Sequence, residues 1–177
     1  NVIPGSTSPS ATAPDPDAVN EFYKKISKMN YEVVIVDSAP GSFSAEEAKH
    51  FDEALIITTP EIASARGSET LARLYERYHI RHRLVINRVQ YDKYELTQEQ
   101  IEKIYGDVAY ATLPEDPIIK ESTAKRVPAF VLNSNSQFSL ALQDLSRAYT
   151  LRVGQPKSDS TGNFSIGRRL KRLFGFK

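Results

Sequence analysis

The sequence predicts an α/β fold in which a parallel β-sheet carries helices on both faces. Four apolar runs rich in β-branched residues alternate along the chain with segments whose apolar residues recur at helical spacing. The run Val33–Val36 has no polar alternation, which is typical of a strand buried on both sides. Strands and helices that alternate at this spacing form βαβ units and therefore a parallel sheet.

The first predicted elements are a helix and a strand. Asp17 is a candidate N-cap for the helix. The strand, residues 31–37, comes next, and Ser44 then opens a capping-box sequence that predicts a short second helix. The apolar positions of the first helix are Val19, Phe22, Tyr23 and Ile26.

The remaining elements continue this alternation. Residues 53–60 are predicted to form a second buried strand. Thr97 begins a capping box, and Gly106 ends the helix that follows it. The strands and helices from there onward are predicted at residues 53–60, 61–78, 81–89, 97–106, 107–117 and 134–151.

Composition restricts the class of protein. The 177 residues suit one domain, and 40% hydrophobic with 25% charged residues is ordinary for a soluble globular protein. The chain has no cysteine, which excludes disulfides, thiolate metal sites and cysteine nucleophiles. No apolar run reaches the roughly 18 to 20 residues that a membrane-spanning helix needs. We therefore expect a cytosolic protein, or one peripheral on a membrane.

The charges are distributed unevenly along the chain. Five of the 23 basic residues lie in the last ten positions, and no acidic residue follows Asp159. The rest of the chain has 18 basic and 22 acidic residues, a net charge of −4. An acidic body with a basic tail indicates a partner for the tail, not a nucleic-acid surface spread over the fold.

Asp37 is the first candidate site residue, because it ends the predicted strand 31–37. Open α/β sheets bind their ligands at the carboxyl ends of the strands. Gly41 follows four residues later and gives the backbone room beside a ligand. The stretch alone fits a ligand site and an ordinary strand-to-loop aspartate equally well.

Four segments, in this order and at these spacings, resemble the MinD branch of the MinD/ParA family of ATPases. They are VVIVDSAPG, IITTPEIASARGSETLARL, LVINRV and LPEDPIIKESTAKRVPAF. A fifth segment, RVQYDKYELTQEQIEKI, is similar to archaeal-type members in particular. The resemblance covers residues 1–151 and implies the fold of a P-loop NTPase.

The resemblance also implies roles for single residues. Asp37 would be the Walker B carboxylate, which acts on Mg²⁺ through a coordinated water and is needed for catalysis. Pro40 and Gly41 would form the switch that senses the γ-phosphate of ATP. Asn87 would hydrogen-bond the adenine edge, since an amide offers a paired donor and acceptor.

Further residues would form the wall around the base. These are Arg88 and the backbone near Pro114 and Asp116. Two of the site residues also have simpler interpretations: Asn87 as a turn residue after a strand, and Asp116 as a helix cap before a proline.

The chain departs from the family pattern at one point. Glycine is nowhere followed by lysine, so the chain has no Walker A phosphate loop. We expect residues 1–151 to be the C-terminal portion of an ATPase domain whose N-terminal part, with the P-loop strand, is missing from this sequence. The chain alone is then expected to be inactive. A loop-less paralogue that serves as a non-catalytic membrane adaptor is the alternative.

The C-terminal segment predicts membrane binding. Residues 152–163 have the composition of a flexible linker, and residues 164–177 form an amphipathic helix in projection. Such a helix lies in the membrane interface, with its cations on anionic headgroups. The segment also resembles the family's membrane-targeting helix. The residues expected at the membrane are Ile166, Arg168, Arg169, Leu170, Lys171, Arg172, Leu173 and Phe174.

Together these features predict part of a MinD-like ATPase that binds membrane reversibly under the control of ATP, for spatial positioning of the division site or of cargo. The resemblance implies ATP and Mg²⁺ as cofactors, an ATP-dependent homodimer and a division or positioning regulator as protein partner. The expected location is the cytoplasm and the inner face of the cell membrane. The absence of cysteine disfavours the iron–sulfur branches of the family. A ParA-like DNA-partition ATPase is the other alternative, although nucleic acid is the less expected partner.

Overall fold

The structure, a computed structural model, describes residue 3, residues 15–38, residue 47 and residues 50–153, with side chains as far as residue 149. The chain divides into two units, Asn1–Phe51 and Asp52–Lys177.

The first unit contains helix α1, Pro16–Ser27. The predicted N-cap, Asp17, is wrong, and the observed N-cap is Asp15. Pro16 takes the first helical position, which places Asp17 in the first turn. The ring of Tyr23 packs at 5.2 Å from that of Phe51. The predicted helix is therefore present with a different starting residue, although none of its residues is fully buried.

Residues 31–38 form no ladder with another strand in the described part of the chain. The predicted strand 31–37 is wrong in this respect. Its apolar side chains are exposed, by 40% at Val33 and 88% at Ile35, except that of Val36, which is half-buried. The physical reason is that a β-strand exists only as one side of a hydrogen-bonded pair. An apolar run predicts burial but does not supply the partner strand.

The second unit contains a three-stranded parallel sheet in the order β1–β2–β3. Strands and helices alternate from β1 to α4, which confirms the predicted α/β fold class. The elements are β1 (Glu53–Thr58), α2 (Ile62–Arg77), β2 (Arg81–Val89), α3 (Gln98–Tyr105), β3 (Ala111–Pro114), α4 (Pro117–Lys125), α5 (Ala129–Leu132) and α6 (Gln137–Val153).

Helices pack against both faces of this sheet. On one face, His82 of β2 lies near the rings of Tyr75 in α2 and Tyr105 in α3. On the other face, Arg83 pairs with Glu53 of β1, and α6 packs against β3. The centre of β2 is therefore enclosed, and it forms the core of the unit.

Strand β1 is an edge strand, and its two faces differ. Ile56 and Thr58 are buried, whereas Leu55 and Ile57 are 40% and 54% exposed. We predicted a strand buried on both faces, which is wrong for Leu55 and Ile57. Within the described part of the chain, β1 has a strand neighbour on one side only, so nothing there continues the layer over these two side chains.

The boundaries of α3 follow the predicted local signals. The capping box at Thr97 is present, since Gln100 N donates to Thr97 Oγ1 at 3.2 Å and Thr97 N donates to Gln100 Oε1 at 2.8 Å. Gly106 ends α3 with a left-handed φ of 93°, the conformation for which glycine is suited.

Helix α6 is shifted relative to its prediction. It starts after Ser136 and not at Ser134, because Ser136 Oγ accepts the N–H of Ser139 at 3.1 Å, as an N-cap does. It also runs to Val153, two residues into the predicted linker. None of the helices in the described part of the chain has an apolar stretch long enough to cross a membrane.

Three predicted segments fall largely or wholly outside the described residues, and the linker 152–163 is one of them, since only residues 152 and 153 are described. The short helix from Ser44 is another, since of residues 44–47 only Glu47 is described. The C-terminal segment 164–177 is the third.

Candidate functional site

A cavity of about 620 Å³ opens where β2 and β3 end. Asn87, Arg88 and Pro114, three of the residues predicted to surround the base, lie on its wall. Pro114 is 27 residues from Asn87 along the chain, and the pairing of β2 with β3 brings the two together. The full lining is Asn87, Arg88, Pro114, Glu115, Ile119, Lys120, Thr123, Ala124 and Phe138.

Strand β2 carries a β-bulge just before its end. Ile86 pairs with Thr112, and the next pairing joins Val89 to Pro114. β2 advances three residues while β3 advances two, so β2 has one extra residue in this interval. Bulges bend a strand and re-aim its side chains, and they are frequent beside binding sites. The interval contains both polar residues that β2 contributes to the cavity.

Arg88, within the bulge, has a left-handed backbone with φ of 63°. This conformation is rare for a residue with a long side chain and costs on the order of 1–2 kcal/mol. The amide of Asn87 offsets part of this cost, since its Oδ1 accepts the N–H of Arg88 at 3.0 Å. An amide oxygen has a second lone pair, so the same amide can still offer a ligand both an acceptor and a donor.

The side chain of Arg88 is held by an ion pair across the two strands. Its Nε donates to Oε2 of Glu115 at 2.9 Å. The hydrogen bond and the charge of Glu115 raise the pKa of Arg88. The Arg88 side chain is 63% exposed and that of Glu115 is 22% exposed, so the pair lies at the mouth of the cavity and not in its interior.

Asp116 does not line the cavity but supports its wall. Its Oδ1 accepts the N–H of Ile118 at 3.0 Å, which makes it the N-cap of α4. Its Oδ2 accepts the N–H of Phe138 at 3.1 Å, at the start of α6. These hydrogen bonds, first that from Ile118, lower the pKa of the Asp116 carboxyl. The helix-cap interpretation is therefore correct for Asp116, and the cap also fixes Phe138.

The lining has the chemistry of a site for a flat heterocycle. Apolar surface comes from Pro114, Ile119, Ala124 and Phe138. Two neutral side chains of the lining can both donate and accept hydrogen bonds, the amide of Asn87 at the strand end and the hydroxyl of Thr123 on α4. Ligand sites commonly combine such mainly apolar walls with a few orienting polar groups.

A second, smaller cavity of about 250 Å³ lies between the loops that follow β1 and β2. Arg88 lines this cavity as well. The loop after β2 is stabilised by Glu95, whose carboxylate accepts the backbone N–H groups of Gln90 and Tyr91. Thr59, Pro60 and Glu61 from the end of β1 complete one wall.

The remaining predicted site residues are not among the described lining residues of either cavity. Asp37 belongs to the first unit and is exposed. Pro40 and Gly41 lie outside the described residues, as do all the residues predicted to contact the membrane. Among the residues that the structure describes, no three His, Asp or Glu side chains come together in a group that could hold a metal ion.

Sequence reasoning missed two residues of the larger cavity that matter for its shape. Phe138 belongs to a segment predicted only as a helix, and Glu115 stands unremarked between Pro114 and Asp116. The Pro-Glu-Asp sequence was a signal for a cavity wall. No spacing in the sequence indicates that Glu115 pairs with Arg88, since that contact depends on the register of β2 and β3.

No protein-family model matches the chain. Curated relatives nevertheless align with most of it. A putative septum site-determining protein MinD of Mesostigma viride is 28% identical over 153 residues, which are 81% of this chain and 53% of that protein. An ATP-binding protein of Methanocaldococcus jannaschii is 28% identical over 135 residues, which are 74% of this chain and 49% of that protein. The chain thus spans about half the length of these relatives.

Solved MinD structures have the same fold. The MinD cell division protein of Aquifex aeolicus has a TM-score of 0.69 at 25% identity, and the match covers 81% of this chain and 64% of the Aquifex chain. MinD of Pyrococcus horikoshii complexed with Mg-ADP has a TM-score of 0.70 at 22% identity, with coverage of 79% and 58%. The Aquifex aeolicus MinC:MinD complex gives a TM-score of 0.68 at 22% identity, with coverage of 81% and 63%.

The predicted resemblance rests on four segments in register, and the comparisons agree with it in both sequence and fold. The parallel sheet with its surrounding helices matches the MinD type of P-loop NTPase fold. These findings support the predicted resemblance of the chain to the MinD/ParA family.

Proposed function

We propose that this chain supplies the base-binding part of an ATP site in a MinD-like positioning ATPase that associates reversibly with membrane. One observation carries the proposal: Asn87, Arg88 and Pro114 line a single cavity at the carboxyl end of a parallel sheet. Such sheet ends are where α/β proteins bind their ligands. The relatives support the choice of nucleotide, since one is an ATP-binding protein and one structure contains Mg-ADP.

Adenine fits the polar chemistry of the cavity. Its edge presents an amino donor beside a ring-nitrogen acceptor, and an Asn amide matches this pair. The bulge orients the amide of Asn87 through its hydrogen bond to the N–H of Arg88. Pro114 and Phe138 offer apolar surface to the faces of the ring.

Asp37 is the residue proposed to hold Mg²⁺ through one of its coordinated waters. Protein sites for Mg²⁺ bound with ATP use one or two carboxylates, with phosphate oxygens and waters as the other ligands. A single exposed aspartate is compatible with such a site, and the absence of a larger acidic group among the described residues does not contradict it. When bound, the ion would neutralise phosphate charge, and Asp37 would hold and orient one of its waters.

The proposed cycle has two subunits that pair across ATP and separate after hydrolysis. A short amphipathic tail binds membrane weakly, and two tails on one dimer bind with higher avidity. ATP-dependent pairing would therefore control membrane residence without any change in the tail itself. The MinC:MinD complex of Aquifex aeolicus supports a division regulator as the protein partner.

ATP hydrolysis by the parent protein, encoded by the longest open reading frame that contains this chain, tests the nucleotide part of the proposal. Asp37→Ala should abolish turnover at saturating Mg²⁺ and leave the thermal unfolding midpoint unchanged, since Asp37 is exposed. Asp17→Ala, at another exposed aspartate of the same unit, is the matched control and should keep full turnover. Equal turnover of parent and Asp37→Ala would mean that Asp37 is an ordinary loop residue.

The membrane part of the proposal rests on sequence, because the tail lies outside the described residues. Its apolar positions Ile166, Leu170, Leu173 and Phe174 fall within one arc of about 100° on a helix. Nearby cations add roughly 1 kcal/mol each on an anionic surface. The −4 charge of the rest of the chain leaves the tail as the concentrated basic segment.

Vesicle flotation of the parent protein with ATP tests the tail. Leu173→Glu places a charge in the apolar arc and should abolish binding to anionic vesicles, whereas Ser165→Glu places the same charge on the polar face and should reduce it only slightly. If the parent protein does not bind anionic vesicles but binds duplex DNA at the same ionic strength, the ParA-like alternative is favoured.

A further inference from the structure

We propose that Glu115 is a specificity-determining residue that keeps the base cavity from accepting guanine. It acts through Arg88, because Oε2 of Glu115 accepts a hydrogen bond from Nε of Arg88 at 2.9 Å. The inference rests on the proposed adenine site and adds to it a residue that neither the motifs nor the relatives assign.

Arg88 is placed where it could read a base. It lies within the β-bulge, has a left-handed backbone and lines both cavities at the strand ends. The bulge therefore fixes where the arginine backbone sits, and the pair with Glu115 fixes where its guanidinium points. An unpaired guanidinium on this backbone would be free to turn toward a ligand.

Each partner of the pair is, by itself, a group that recognises guanine. Arginine donates two parallel hydrogen bonds to guanine O6 and N7. A carboxylate accepts well from the adjacent N–H groups of guanine at N1 and N2, which adenine lacks. Paired with one another, Arg88 and Glu115 each use part of this capacity and neutralise each other's charge. Of the polar side chains that β2 and β3 bring to the cavity, the amide of Asn87 is then the one that distinguishes the bases, and it matches adenine.

The position of Glu115 is itself fixed by the backbone. Its N–H donates to the carbonyl of Val89 at 3.0 Å, directly after the bulge. Asp116, the next residue, caps α4 and binds the start of α6. Glu115 is thus held on both sides, while only its side chain reaches Arg88. Its removal should free the arginine without displacing the cavity wall.

The test compares ATP and GTP affinities of the parent protein and its variants by competition against a fluorescent adenine nucleotide. Glu115→Ala should raise the affinity for GTP relative to ATP by about tenfold, near the lower end of what one arginine–guanine pair contributes. Glu121→Ala is the matched control, because Glu121 is also a paired glutamate of this region, with Lys125, but does not line the cavity. It should leave the ratio unchanged.

A double substitution shows whether Arg88 causes the rise in GTP affinity. If the freed arginine reads guanine, Glu115→Ala should not raise GTP affinity in a protein that already carries Arg88→Ala. Normal ATP binding with an unchanged ratio in Glu115→Ala, or the same rise with and without Arg88, would overturn this inference alone. A parent protein that binds neither purine nucleotide would overturn the proposed function, and this inference with it.

Discussion

Two apolar runs of similar composition, one in each unit, lie in opposite environments. Val33–Val36 belongs to no strand in the described part of the chain and is largely solvent-exposed, with Ile35 88% exposed. Leu84–Ile86, in the middle of β2, is completely enclosed, with Ile86 1% exposed. The difference shows that side-chain composition predicts how much a run would gain from burial, and that pairing decides whether it is buried.

β2 is enclosed because every side of it is occupied. β1 and β3 pair with its two edges, and helices pack on its two faces. The run in the first unit has the same β-branched character but forms no ladder within the described residues. Hydrogen bonding of the backbone is a requirement for stable burial, since an unpaired buried amide costs as much as a lost hydrogen bond.

The same substitution in the two runs gives the largest expected difference. Ile86→Ala removes a fully buried side chain and should lower the free energy of unfolding of the 177-residue chain by about 2–5 kcal/mol. Ile35→Ala removes an exposed one and should change it by no more than about 0.5 kcal/mol. Urea unfolding followed by circular dichroism measures both. Equal losses would mean that the first run is buried in solution.

Helix caps in the two units provide a smaller contrast. Asp116 accepts hydrogen bonds at the starts of two helices, whereas Asp15 accepts one long bond, 3.4 Å, from Asp17 N. Asp116→Ala should therefore lower the free energy of unfolding by about 1–2 kcal/mol, and Asp15→Ala by about 0.5 kcal/mol. A larger effect at Asp15 would contradict this ranking.

The contribution of Asp116 should also depend on pH, in a direction fixed by its lowered pKa. A carboxyl whose pKa is lower in the folded state stabilises that state above its unfolded pKa of about 3.9. This stabilisation is lost as pH falls through the folded value. The difference in free energy of unfolding between the unsubstituted 177-residue chain and Asp116→Ala should therefore be constant near neutral pH and shrink below about pH 4. A difference that grows in acid would exclude this linkage.

The smallest contrast concerns exposed ion pairs. Arg88–Glu115 in the second unit and Lys24–Glu21 in α1 each have a cation that is well exposed, by 63% and 60%, and such surface pairs contribute little to stability. Glu115→Ala and Glu21→Ala should each unfold at the same urea concentration as the parent chain, within error. A clear loss in Glu115→Ala alone would show that the pair supports the fold and not only the orientation of Arg88.

Local signals were the part of the structure that the sequence predicted well. The capping box at Thr97 and the stop at Gly106 depend on residues within one helical turn, and both are present. The order of strands and helices in the second unit was also predictable from alternation of pattern. The first cap was misplaced by two residues because proline at the first helical position outweighs the choice between two nearby aspartates.

Features that depend on tertiary pairing were not predictable. The bulge at the end of β2 follows from the register of β2 with β3, and no residue pattern within β2 predicts it. Asn87 and Pro114, which the family resemblance assigns to one site, line the same cavity, whereas Glu115 and Phe138 emerged only from the geometry. The exposure of Ile35 has the same cause, since pairing between distant segments is not encoded in a single run.

The nucleotide preference of Asn87→Ala in the parent protein tests the central claim most directly. If the cavity beside the bulge binds adenine through this amide, the preference for ATP over GTP should fall by about tenfold, while the affinity for inorganic triphosphate stays the same. Ser134→Ala, outside the cavity lining, is the control and should keep the full preference. An ATP preference that survives Asn87→Ala unchanged would contradict the proposed base site.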